Sequence, residues 1–184
     1  MLAFKQLKRQ VIPAAKPVRW LNNLEWSAWL QLLATFTLLP AAIDSSLQRG
    51  AGMTHFEFGV MAALSRQPGR RLQLKDLAVL ANGSLSRLSH VISRLERQGW
   101  VRRVSGANGR ARNAELTDKG YRKLMEAGPI HFQDVRRLVF DVLRPEEVRE
   151  LTRVTSRINA GLIPETNLGP LARRTRARAL RPSR

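Results

Sequence analysis

With 184 residues, 43% of them hydrophobic, the chain is long enough for one ordinary domain with a real core and extensions around it. The formal net charge of +18 favours a polyanionic partner, either nucleic acid or an anionic membrane surface, unless it reflects a generally basic composition. The absence of cysteine excludes disulfides, thiol redox sensing and thiolate metal sites.

Residues 1–19 read as a flexible basic arm, with Lys5, Lys8, Arg9, Lys16 and Arg19 and no acid. This start lacks the continuous apolar stretch of a secretory signal, so a cytoplasmic location is expected. Residues 20–49 form a strongly apolar helical segment carrying Trp20, Trp26, Trp29 and Phe36, and a helix apolar on most sides must be covered. Trp26–Ile43 is an uncharged run of 18 residues, the lower edge for a membrane span. Ser27, Gln31, Thr35, Thr37 and Pro40 interrupt it, so a buried helix in a subunit interface is the stronger reading, with a basic membrane-surface-associated protein as the alternative.

Thr54 and Glu57 have capping-box spacing, which predicts a helix through Val60, Met61 and Leu64 that stops at Gln67-Pro68-Gly69. A short extended piece, Arg71–Gln73, precedes a helix over Leu74–Ala81, and Asn82-Gly83-Ser84 makes a turn. From Ser84 to about Gln98, Leu85, Leu88, Val91, Ile92 and Leu95 mark one face of a helix of 3.6-residue period. Gly99 ends it. Trp100–Val104 reads as a strand and Asn113–Leu116 as its antiparallel partner, with Ser105–Arg112 forming a basic tip between them. Thr117 caps a further helix expected to reach about Leu143, kinked near Gly128-Pro129. Pro145 opens the last helix, which is expected to end at Gly161. Residues 164–184, with six arginines against Glu165 alone, read as a disordered basic tail.

Helix, turn, helix, strand, tip, strand is the plan of a winged helix-turn-helix. The expected fold is mainly α with a small β-wing: residues 53–117 form the winged helix-turn-helix lobe, and 20–49 and 118–163 supply dimerisation helices. Residues 84–112 hold Arg87, Arg94, Arg97, Arg102, Arg103, Arg110 and Arg112 against Glu96 alone, so the basic charge concentrates at the candidate reader of double-stranded DNA. On the polar face of that helix Ser84, Ser86, Arg87, Ser89, His90 and Arg94 are the candidates for base or phosphate contacts, because serine, arginine and histidine donate to guanine edges or phosphate oxygens. Arg97 is expected to face solvent or phosphate. His55, His90 and His131 fall in three different elements without metal-ligand spacing, and no catalytic constellation stands out. No metal, cofactor or enzymatic activity is expected.

At Thr54–Glu57, Leu77-Ala78, Ser84–Gly99 and Leu116-Thr117-Asp118-Lys119-Gly120 the sequence resembles the MarR family of transcriptional regulators, over roughly residues 24–162. The string SLSRLSHVISRLERQGWVRR followed by LTDKG carries that resemblance. It implies a homodimer whose first and last helices interlock, with the Ser84–Gln98 helices in the major groove and the wings at the minor groove. The family's wing carries Asp-x-Arg eight and six residues before the Leu of the Leu-Thr pair. Those positions here are Asn108 and Arg110, so the minor-groove arginine is retained while its orienting acid is replaced; Arg112 is the second candidate there. By the same resemblance Trp26, Trp29, Phe36 and His55 line either the interface core or a pocket for a small aromatic or amphipathic effector. A repressor on a pseudo-palindromic operator, released by such a ligand, is the implied function.

Overall fold

The computed structural model describes residues 18–81, 84–105 and 112–162. The chain divides into two compact units, residues 1–36 and 37–184. In the first, the described part is residues 18–22 and the leading portion of helix α1 (Asn23–Ala51), whose start is capped reciprocally: the Asn22 side-chain carbonyl accepts from Glu25 N–H, and the Glu25 carboxylate accepts from Asn22 N–H. Trp26, Trp29, Leu30, Leu33 and Phe36 are all exposed here. Among the described residues α1 is the one helix long and apolar enough to cross a membrane by length and composition.

The second unit holds the core. The end of α1 supplies Ile43 and Leu47, followed by α2 (His55–Ser65), β1 (Arg71–Gln73), α3 (Leu74–Leu80) and α4 (Leu85–Arg97). Strands β2 (Val101–Ser105) and β3 (Arg112–Leu116), then α5 (Asp118–Val135) and α6 (Pro145–Leu162), complete it. The expected Thr54–Glu57 capping box is present, with both reciprocal hydrogen bonds made. Met61, Leu64, Leu77, Leu88, Ile92 and Leu95 are fully enclosed and form the centre of the core. Leu85, placed on the apolar stripe by its period, is exposed and lies outside the core cluster that Leu88, Ile92 and Leu95 join.

The short extended piece Arg71–Gln73 proves to be a third strand. The sheet order is β1-β3-β2, all antiparallel, so β3 is central and the wing is anchored on both sides. Glu115 sits opposite Arg71 on one side and Arg102 on the other. One carboxylate oxygen accepts from Arg71 Nε and the other from Arg102 Nε, each at 2.9 Å. The two guanidinium groups hold this buried carboxyl below its ordinary range, and such cross-strand pairs fix the register of a short sheet.

Helix α4 ends in a Schellman motif. Trp100 N–H donates to Leu95 C=O at 2.9 Å and Gly99 N–H to Glu96 C=O at 2.8 Å, with Gly99 at φ +71°, a conformation that costs glycine nothing. Helix α5 continues as α-helix through Gly128-Pro129 to Val135 and then passes into a π-helical segment, Arg136–Phe140, instead of running as α-helix to Leu143. The change falls beside buried Asp134, which accepts from Arg137 at 2.9 Å and from Ser46. Side-chain anchoring of that kind leaves no mark on apolar period. Helix α6 has no buried residue and exposes Leu151, Val154 and Ile158.

The turn Thr117–Gly120 locks α5 to the end of α4. Thr117 Oγ1 accepts from Gly120 N–H at 3.0 Å and donates to Gly99 C=O at 2.8 Å. A Cβ on Gly120 would stand 2.0 Å from Trp100 O and 2.8 Å from Leu116 Cδ1. Backbone cannot retreat as a flexible side chain can, so Gly120→Ala should lower stability by about 3 kcal/mol, read as an earlier urea midpoint at unchanged slope.

Candidate nucleic-acid interface

The buried stripe of α4 determines what its other side presents. With Leu88, Ile92 and Leu95 turned inward, Ser86, Arg87, Ser89, His90, Arg94 and Arg97 are exposed together on one helix. Ser84 is the N-cap, its Oγ accepting from Arg87 N–H at 3.2 Å, so its hydroxyl already has a structural task. Arg112 begins β3, exposed, opposite Ser105. Asn108 and Arg110, the wing candidates, lie outside the described residues.

Neighbouring elements hold several of these side chains. The Arg87 guanidinium lies 4.4 Å from the centre of the Phe56 ring, within cation–π range. Arg94 Nε stands 3.0 Å from Glu57 Oε1. From the wing side Arg103 donates to Glu96, to Ser89 C=O at 3.2 Å and to Ser93 Oγ at 3.0 Å, which ties β2 to the back of α4. Arg97 makes no ion pair among the described residues. Phe56, Glu57 and Arg103 are the residues that the sequence reading missed as parts of the site. The Thr54–Glu57 spacing was visible as a cap, but a cap employs one carboxylate oxygen and says nothing of the other.

An open cleft of about 930 Å³ runs between the end of α1, the start of α2 and α4. Its walls include His55, Phe56, Glu57, Arg87, His90 and Arg94, with apolar surface from Pro40, Leu80 and Val91. Of the four candidate effector residues only His55 lines it. Trp26, Trp29 and Phe36 belong to the other compact unit.

His55 also faces α5. Its ring stacks on His131 at 5.4 Å between centroids, the Phe58 ring lies 4.4 Å from His131, and the His55 backbone N–H donates to Asp44 Oδ1 at 2.7 Å. Burial pushes both imidazoles below their ordinary pKa; Asp44 partly offsets this for His55, while His55 adds to it for His131 and Asp134 opposes it. The unfolded chain therefore takes up protons first, near pH 6.5, and stability falls as the pH drops from there through the folded values. Urea midpoints at pH 7.5 and 5.5 should show this loss, and His131→Phe should reduce it; an equal loss in the variant would show that other groups carry it.

No protein-family model matches the sequence. Solved structures do. The chain is 39% identical to Sco3205, a MarR family transcriptional regulator from Streptomyces coelicolor solved in complex with DNA, with a TM-score of 0.78 over 83% of this chain and 96% of that one. It is 34% identical to AbsC, a MarR family transcriptional regulator from the same organism, with a TM-score of 0.74 over 79% of this chain and 98% of the other. Among curated proteins it is 34% identical over 112 residues to the HTH-type transcriptional regulator YkoM of Bacillus subtilis, covering 60% of this chain and 69% of that protein. The three-stranded sheet, the outward face of α4 and these likenesses agree: the chain belongs to the MarR family of winged-helix, DNA-binding transcriptional regulators.

Proposed function

We propose that the protein is a cytoplasmic homodimer that binds a pseudo-palindromic operator in double-stranded DNA and represses transcription until a small aromatic or amphipathic molecule releases it. The observation that carries the DNA reading is the face of α4, where short polar and basic side chains stand exposed together on a helix held by core, sheet and wing. Inserted in a major groove, Ser86, Ser89 and His90 reach base edges, while Arg87, Arg94 and Arg97 reach phosphates or guanine. Asn108, Arg110 and Arg112 belong at the minor groove, where a narrow A·T tract concentrates negative potential. No catalytic role is assigned.

Support for the dimer lies in apolar surface left uncovered. Trp26, Trp29, Leu30 and Phe36 on α1, and Leu151, Val154 and Ile158 on α6, stand in water in a single chain. A second copy covers both stripes and places two reader helices about one helical turn, 10 bp, apart. The cleft beside His55 is the candidate effector site. A ligand there releases DNA only by binding the DNA-incompetent arrangement better.

Duplexes selected from random sequence by the protein provide the probe. Arg110→Ala should weaken binding to the selected duplex by about 1–3 kcal/mol, and unchanged affinity would remove the wing from the mechanism. At micromolar concentration the protein should sediment as a dimer, whereas a stable monomer would sink the interlocked-helix reading. Co-flotation with anionic liposomes in place of a mobility shift would favour the membrane-surface alternative for α1.

A further inference from the structure

Helix α2 grips the reader helix with its first turn. Glu57 is 1% exposed, so no water answers its charge. Oε2 accepts the Thr54 N–H at 2.8 Å and Oε1 faces Arg94 Nε at 3.0 Å. One residue earlier, Phe56 underlies Arg87. The capping box explains one oxygen of a buried carboxylate. The other is devoted to an arginine on a different helix whose side chain remains 51% exposed on the cleft beside Arg87, His90 and Arg97.

We propose that Glu57 is a positioning residue for sequence discrimination: by holding Arg94 Nε it presents that guanidinium to DNA in one orientation. The proposal rests on the reading of α4 as the DNA reader. A long, freely rotating cation adapts to any phosphate it meets, whereas a planar guanidinium fixed in advance matches only partners in the right place. Holding it in the free protein also removes part of the side-chain ordering that binding would otherwise require. Glu57 therefore acts mainly on the ratio of operator to non-operator affinity. The charge itself, which drives sequence-independent binding, stays on Arg94 with or without its partner.

Glu57→Gln separates the two tasks of the side chain, because the amide oxygen still accepts the Thr54 N–H while the negative charge opposite Arg94 is gone. Affinities of wild type, Glu57→Gln, Arg94→Ala and the double variant are measured for the selected duplex and for a scrambled duplex of equal length, at one salt concentration. Circular dichroism and the thermal midpoint are recorded for each. Expected is a loss of about tenfold in affinity for the selected duplex with Glu57→Gln, worth about 1.4 kcal/mol, with equal or tighter binding to the scrambled one. In the Arg94→Ala background Glu57→Gln should change little further, the non-additivity of two groups acting as one.

If Arg94→Ala leaves both affinities unchanged, Arg94 is not a DNA contact and the reading beneath the proposal fails. If Arg94→Ala weakens operator binding but Glu57→Gln does not, the arginine acts without its partner and the positioning role is overturned. Equal losses on both duplexes, or additive losses in the double variant, assign Glu57 to folding alone. Should Glu57→Gln fail to fold, Arg94→Lys decides: the charge stays, the planar fork goes, and selectivity should fall with scrambled-duplex affinity kept. Unchanged selectivity in that variant overturns the proposal.

Discussion

Helix α4 has no freedom to turn about its own axis, and most of the second unit follows from that. Leu88, Ile92 and Leu95 are enclosed, each contributing roughly 1.5–3 kcal/mol of burial, an amount no surface contact on the opposite side could replace. Rolling the helix to present another face would expose this stripe. Its polar side is therefore the side that stays in solvent. The Schellman turn at Gly99 then delivers the chain directly into β2, and Thr117 closes the loop back onto the same turn. Helix α4, the sheet and α5 meet at one small junction around Gly99, Trp100 and Gly120, where the packing leaves no space for a side chain on Gly120.

The electrostatics show a division of labour. Acids number 14 against 32 lysines and arginines, so most cations have no acid partner to meet. The acids that are buried are placed as clamps: Glu57 on Arg94, Glu115 between Arg71 and Arg102, Asp134 on Arg137. Glu96, partly buried, takes Arg103. A buried carboxylate without a cation is expensive, and each here sits where two elements meet, so removing its cost and joining the elements are one act. Clamping also selects among the arginines. Arg94 and Arg103 are held in this way at α4, while Arg97 has no ion pair among the described residues.

The cleft between α1, α2 and α4 touches both halves of this arrangement. Its walls include the Glu57–Arg94 pair and His55, whose other neighbours are Asp44 on α1 and His131 on α5. The first turn of α2 is thus bonded to α1 and α4 and packed by its rings on α5 within four residues. Anything that shifts that turn acts on Arg87 and Arg94 through side chains already in contact with them.

Local rules were legible in the sequence because their partners are close along the chain. The Thr54–Glu57 box, the stripe of α4 from Leu88 onward, the Gly99 stop and the Thr117 start each involve residues within one or two turns, and each stands where spacing placed it. The serine, arginine and histidine face of α4 was visible for the same reason, since burial of one side of a helix exposes the other. Tertiary structure alone decided which distant groups meet. It joined Arg71–Gln73 to β3, spread Glu115 across three strands, gave the second oxygen of Glu57 to Arg94, and left Leu85 in water although its period marked it for the core. The physical reason is that hydrophobic period and capping chemistry report a residue's local geometry, whereas a buried charge or a third strand depends on which surface the fold brings opposite it.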